Sequence, residues 1–274
     1  MEQQSLPAQK LAELQQRGFT VLRKQLDGGQ LQGLRQSASE ALDAARESVA
    51  RAERIPFQPG TRDFESASSL YRWGAAPLRL LDHPLVHTTA RAVFGRYLLN
   101  DLTVFSVPPA DAEAQVCTTS WHRDCPMTLP EGVSAHLWFL FALDEFHPNN
   151  GATWVVPRSH IHDVGRLGAP WQPLDPGDFP GAVQLLMDAG DLTILDARTI
   201  HSSGPNRSAQ ARRLMNLGLV HPAMRARVRV DHRALVGAEL LALCSERVRG
   251  MFGEPAGEPS GAGACTDPTS AEEG

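Results

Sequence analysis

A chain of 274 residues with 42% hydrophobic residues, 23 Gly and 20 Pro can bury a large core while keeping many loops, and barrels and sandwiches of this length are commonly one domain. Its 26 Lys and Arg against 31 Asp and Glu leave a formal charge of -5 with no basic stripe, which argues against nucleic acid as a partner. No apolar run is long enough to span a bilayer, so a membrane role is not expected and a small-molecule substrate is favoured by elimination.

The opening Met1 to Pro7 has no basic stretch followed by an apolar core, so no secretory leader is expected and the protein is expected in the cytoplasm. Pro7 to Arg17 reads as a helix that Gly18 ends, releasing Phe19 to Arg23 as a short strand. Asp27 can cap a long helix from about Gln30 to Glu53, whose Leu31, Leu34, Ala38, Leu42 and Ala45 recur at helical spacing and should cover a sheet. Arg54 to Ser69, with Pro56, Pro59 and Gly60, reads as a loop. Beside it, Tyr71-Arg72-Trp73 either anchors that loop to the body or lies over the mouth of a site; anchoring is the simpler reading. Pro77 to Phe94 is expected to be helical, with Leu78, Leu81, Leu85 and Val93 on its apolar face.

Strands are expected at Tyr97 to Val107, Gln115 to Ser120, Ala135 to Leu143, Thr153 to Val156, Val183 to Leu186, Leu192 to Leu195 and Leu214 to Val220, separated by Gly, Pro and Asn turns. The class is therefore mainly β with flanking helices: a closed or nearly closed core over about 97–222, with the N-terminal helices packed on one sheet. Strand spacing alone does not choose between a jelly roll and another sandwich. Arg158 to Pro180 is too long and irregular for a turn and is a candidate lid. Asp231 to Met251 reads as a final helix, closing a domain over 1–252, and 253–274 has the composition of a disordered tail. Cys117, Cys125, Cys244 and Cys265 are irregularly spaced and read as reduced thiols.

The chemistry concentrates in Ser120-Trp121-His122-Arg123-Asp124 and in the distant His201. His122 and Asp124 are two apart, so on an extended segment both side chains leave one face and can share an ion. Adding His201 makes two imidazoles and a carboxylate, the facial set that leaves positions open on non-haem Fe(II). The same three groups could also hold zinc to activate water. Trp138 shares a strand face with His136, Leu140 and Ala142, and could wall such a site or fill the barrel. Thr118, on the strand face of His122, and Ser203, two past His201, could hydrogen-bond a carboxylate. Asn206 is better suited to holding its own turn. His136, His147, His160 and His162 lack a partner pattern and read as structural or exposed.

These motifs have an order. The His122-Arg123-Asp124 triplet precedes the apolar run His136 to Asp144, then Asn150 to His160, Ala189 to Asp196 leading to His201, Gly204-Pro205-Asn206 and the pair Arg212-Arg213. From about Leu11 to about Pro222 this resembles the phytanoyl-CoA dioxygenase family of Fe(II)- and 2-oxoglutarate-dependent oxygenases. The resemblance implies a double-stranded β-helix, that is, a cupin-like jelly roll. It also implies Fe(II), 2-oxoglutarate and dioxygen as cofactor and cosubstrates, with His122, Asp124 and His201 as iron ligands. The family's arginine for the far carboxylate of 2-oxoglutarate falls on Arg212, although its neighbour Arg213 could exchange roles with it, since alternation lets only one of the two point inward; a residue in the strand of Trp138 borders the cosubstrate. The implied function is oxidation of a small molecule, by hydroxylation, desaturation, epoxidation or ring formation, with secondary-metabolite tailoring favoured. An acyl-CoA substrate is less attractive without a basic cluster near the likely mouth. A non-catalytic binding relative would usually show a broken triad or a lost arginine, and a zinc enzyme would not explain the Gly-Pro-Asn turn or the arginine spacing. Halogen-transferring members of the wider class lack the metal carboxylate, so Asp124 argues against halogenation.

Overall fold

Helix α1 (Ala8–Arg17) stops at Gly18, whose φ of 85 is the left-handed cap that glycine adopts without strain. The chain turns there into β1 (Phe19–Leu22). Helix α2 (Gly28–Ala50) opens on a reciprocal pair: the Asp27 carboxylate accepts the Gln30 N–H at 2.8 Å and the Gln30 side chain accepts the Asp27 N–H at 2.9 Å. Of its expected apolar stripe, Leu34, Ala38 and Leu42 are buried, while Leu31 and Ala45 lie at the partly exposed margin. The computed structural model describes residues 5–50, 65–109, 121–125, 134–161, 181–228 and 230–253. The expected strand Gln115 to Ser120 with Thr118, the histidine His162, most of the candidate lid and nearly all of the tail lie outside them.

Three expected elements are corrected, and Tyr71 takes the simpler of its two readings. Glu65–Ala67, taken as the end of a loop, is the edge strand β2, because its backbone finds the free edge of β3 (Leu98–Val107). Tyr71 is fully buried in a 3₁₀ turn, with Oη 2.6 Å from His232 Nδ1 and its ring edge-on to Phe252, so this aromatic anchors the chain and does not face a ligand. The helix expected over 77–94 is two, α3 (Ala75–Leu81) and α4 (Pro84–Phe94). Pro84 starts the second, and His83 before it is held extended at ψ 125, as proline demands of its predecessor. The C-terminal helix likewise divides into α5 (His232–Leu243) and α6 (Glu246–Met251), where Cys244 turns extended and Ser245 caps anew.

The remaining strands are β4 (His136–Ala142), β5 (Thr153–Val155), β6 (Val183–Gln184), β7 (Leu192–Asp196), β8 (His201–Ser203) and β9 (Arg212–Val220). Six form one antiparallel sheet in the order β1-β7-β4-β9-β3-β2, and three form a second in the order β6-β5-β8. Alternation divides the large sheet cleanly. Leu137, Phe139, Phe141, Ile194, Met215, Leu217 and Leu219 point outward onto the helices, where they meet Leu34, Leu81 and Leu85. Leu140, Ala142, Leu195 and Leu214 point inward and meet Val155 and Leu185 from the small sheet's side. This is the double-stranded β-helix with helices on one sheet. The polar trio of β8 is a strand the sequence pattern misses, since only its pairing to β5 makes it one. Among the described residues no helix is long and apolar enough to cross a membrane.

Candidate active site

The segment 121–125 lies along β8 through reciprocal backbone bonds: His122 N–H to His201 O at 3.1 Å and His201 N–H to His122 O at 3.0 Å. That pairing brings together residues 79 positions apart, and it juxtaposes their side chains. His122 Nε2 is 3.4 Å from Asp124 Oδ1, His201 Nε2 is 3.3 Å from Asp124 Oδ2, and the two imidazole centroids are 4.3 Å apart. The three groups offer ligand atoms within 4.8 Å of one another. Donors about 2.1 Å from an ion and at right angles are themselves about 3 Å apart, so this set fits a single transition metal with little adjustment. His201 Nδ1 is 3.0 Å from Thr199 O, so its Nδ1–H goes to that carbonyl and Nε2 is the nitrogen turned toward Asp124. Burial pushes the Asp124 carboxyl up, but the charge and hydrogen bonds of His201 and His122 outweigh it and hold the group well below the usual carboxylate range. It is an anion at neutral pH.

The loop ahead of His201 is tied to the N-terminal helix. Thr199 Oγ1 donates to Gly18 O at 3.1 Å and the Asp196 N–H to the same carbonyl at 2.8 Å. His160 Nε2 lies 2.9 Å from Gln15 O. Arg198 grips Asp196 with Nε at 3.0 Å and Nη2 at 2.7 Å, both groups buried.

Arg212 and Arg213 separate completely. Arg213 faces outward, where it makes a two-pronged pair with Asp144 at 2.9 and 3.0 Å and reaches Ser39 of α2. Arg212 faces inward on β9 and is 2% exposed. Its Nη2 donates to Gly151 O, its guanidinium lies 4.2 Å above the Phe146 ring, and its Nε has no partner among the described residues. Burial pushes it down to about 9, against the pull of Asp144, which marks a buried cation short of a counter-charge. A buried guanidinium with a free Nε and no carboxylate bonded to it among the described residues fits the carboxylate of an oxo acid.

Trp138, expected to border the cosubstrate or fill the barrel, sends its indole N–H to Asp124 Oδ2 at 2.8 Å. Ser203 lies two positions past His201 on β8, on the same strand face. Thr118 is outside the described residues. Asn206 holds its turn, accepting from Ser208, and also donates to Val107 O at 2.8 Å. Neither Phe146 nor Thr199 was signalled by the sequence, because their roles exist only through distant partners.

The family model for phytanoyl-CoA dioxygenase (PhyH) matches residues 14–214. Dioxygenase aneA of Aspergillus aculeatus is 32% identical over 169 residues, 56% of this chain and 51% of its own length. The chain spans about half the length of the curated relatives it matches. Among solved structures, the non-haem alpha ketoglutarate dependent epimerase SnoN from nogalamycin biosynthesis is 24% identical with a TM-score of 0.57, covering 78% of this chain and 80% of that one. HygX from Streptomyces hygroscopicus, with nickel and 2-oxoglutarate bound, is 16% identical with a TM-score of 0.63 over 79% and 88%, and has also been solved with hygromycin B. Those likenesses establish the shared fold. The family match runs from α1 through the His-Asp-His cluster into β9, and on that extent the chain belongs to the phytanoyl-CoA dioxygenase family.

Proposed function

We propose that the chain is an Fe(II)- and 2-oxoglutarate-dependent dioxygenase that oxidises a small molecule in secondary-metabolite biosynthesis. The observation that carries this reading is the His122, Asp124 and His201 cluster in a barrel whose inner wall also holds the buried guanidinium of Arg212, its Nε without a partner among the described residues. Bound iron and 2-oxoglutarate would supply the activation of dioxygen, with the oxo acid leaving as succinate and carbon dioxide. Asp124 provides the negative charge of the ligand set, and the Thr199 carbonyl keeps His201 in the tautomer that presents Nε2. Arg212 holds the far carboxylate of 2-oxoglutarate, and Phe146 and Leu214 keep that end dry. Ser203 and Trp138 border the cosubstrate, and Thr118 takes the same role on sequence alone.

Hydroxylation is the expected outcome, with desaturation, epoxidation or ring formation where the substrate is held differently. The substrate class follows SnoN, from nogalamycin biosynthesis, and HygX, solved with hygromycin B bound. The test is optical. Anaerobic addition of Fe(II) and 2-oxoglutarate should give a weak visible charge-transfer band that needs both; a zinc enzyme or a non-catalytic binder gives none. Succinate release across substrate classes then identifies the substrate.

A further inference from the structure

Trp138 stands on the inner face of β4 directly opposite Gly218 of β9. A Cβ at Gly218 would fall 2.9 Å from Trp138 Cε3 and closer still to Cζ3, so the indole occupies space that only glycine leaves. The His136 ring also packs against it, at 4.2 Å between centroids. Packed against both neighbours, the indole sends its N–H to Asp124 Oδ2 at 2.8 Å. A carboxylate turns easily about its terminal torsion, so one fixed donor sets its plane.

We propose that Trp138 is a positioning residue for the metal carboxylate, and that Gly218 is the residue that lets it act. The inference rests on the metal-site reading above and deepens it: contacts to a ligand's second atom govern how well that ligand is presented. The same oxygen lies 3.3 Å from His201 Nε2, so the indole N–H fixes the carboxylate atom that also faces the second imidazole.

The experiment is Co(II) titration followed by absorption, with no turnover required. Trp138→Phe keeps an aromatic ring beside Gly218 but removes the N–H. It should lower Co(II) affinity about 10- to 100-fold and alter the d–d spectrum of the bound ion, with a thermal melt near that of the wild type. Gly218→Ala changes no polar group, yet by tipping the indole it should give the same loss and the same spectral change. Replacing Trp138 with its benzothiophene analogue, equal in shape but without the N–H, should reproduce the Trp138→Phe result even if the phenylalanine variant folds poorly. A wild-type isotherm and spectrum in both N–H-free variants would overturn the proposal. So would a loss confined to Gly218→Ala, which would make the ring a filler. Failure of the wild-type protein to bind Co(II) would instead remove the metal-site reading itself, and this inference with it.

Discussion

At the scale of the residue, the most instructive pair is Arg212 and Arg213, identical in chemistry and adjacent in sequence. Strand alternation sends one into the barrel and the other onto α2. Breaking a buried charge pair costs about 3 to 5 kcal/mol, so Arg212→Ala should raise the apparent KM for 2-oxoglutarate by at least about 100-fold in a succinate assay. Arg213→Ala should leave that KM nearly unchanged and instead lower stability by about 1 kcal/mol, since its pair with Asp144 is a quarter exposed. The opposite order would transfer the cosubstrate role to Arg213. His122→Ala, Asp124→Ala and His201→Ala should each abolish iron-dependent succinate formation while leaving a cooperative thermal transition. Near-wild-type turnover in any of the three would remove that residue from the ligand set. Asp124 also bears on reaction type: with excess chloride or bromide, mass spectrometry of the products should show oxygenation and no halogenated species.

At the scale of the element, the N-terminal helix does more than cover the sheet. Its C-terminal carbonyl at Gly18 receives Thr199 and Asp196, so α1 braces the loop that presents His201. Gly18→Ala forces a side chain into a left-handed backbone and places its Cβ 2.7 Å from His160 Nδ1, and closer to Thr199. The expected cost is about 2 kcal/mol or more, read from the urea midpoint, together with weaker Co(II) binding because the Thr199 carbonyl moves. A variant with wild-type stability and metal affinity would separate α1 from the site. The boundaries of the elements were legible where a single residue sets them, as at Gly18 and Asp27. They were not legible where a partner sets them: β2 exists because β3 has a free edge, and β8 because β5 does.

At the scale of the whole molecule, the helical layer carries three buried imidazoles. Burial pushes His83 and His232 down and takes His87, which also faces Arg247, to about 4, against the pull of Asp82. Below an unfolded value near 6.5 the unfolded chain takes up protons that the folded chain refuses, so stability must fall as pH drops from about 6.5 toward 4. His87 alone accounts for on the order of 3 kcal/mol across that window. Thermal melts from pH 7 to pH 4.5 should show this loss, and His87→Gln should flatten it; an unchanged slope in that variant would place the acid sensitivity elsewhere. The three histidines offered no such sign in the sequence, where they are spread over 150 positions.

The sequence by itself determined the class of fold, the inward and outward sets of the long strands, and the pair His122 and Asp124 as candidate ligands, because each depends on periodicity or on spacing of two, while His201 joined them through the order of motifs. It also carried the order of motifs from which the family could be named. Tertiary structure alone decided what depends on closure of the barrel: that His201 lies against His122 and that Trp138 beside Gly218 reaches Asp124; it also buried Arg212 rather than Arg213 and anchored Tyr71 in the core, two readings the sequence had favoured without being able to place. Those are contacts between residues far apart in the chain, and local pattern carries no information about which distant backbone will supply the space or the partner.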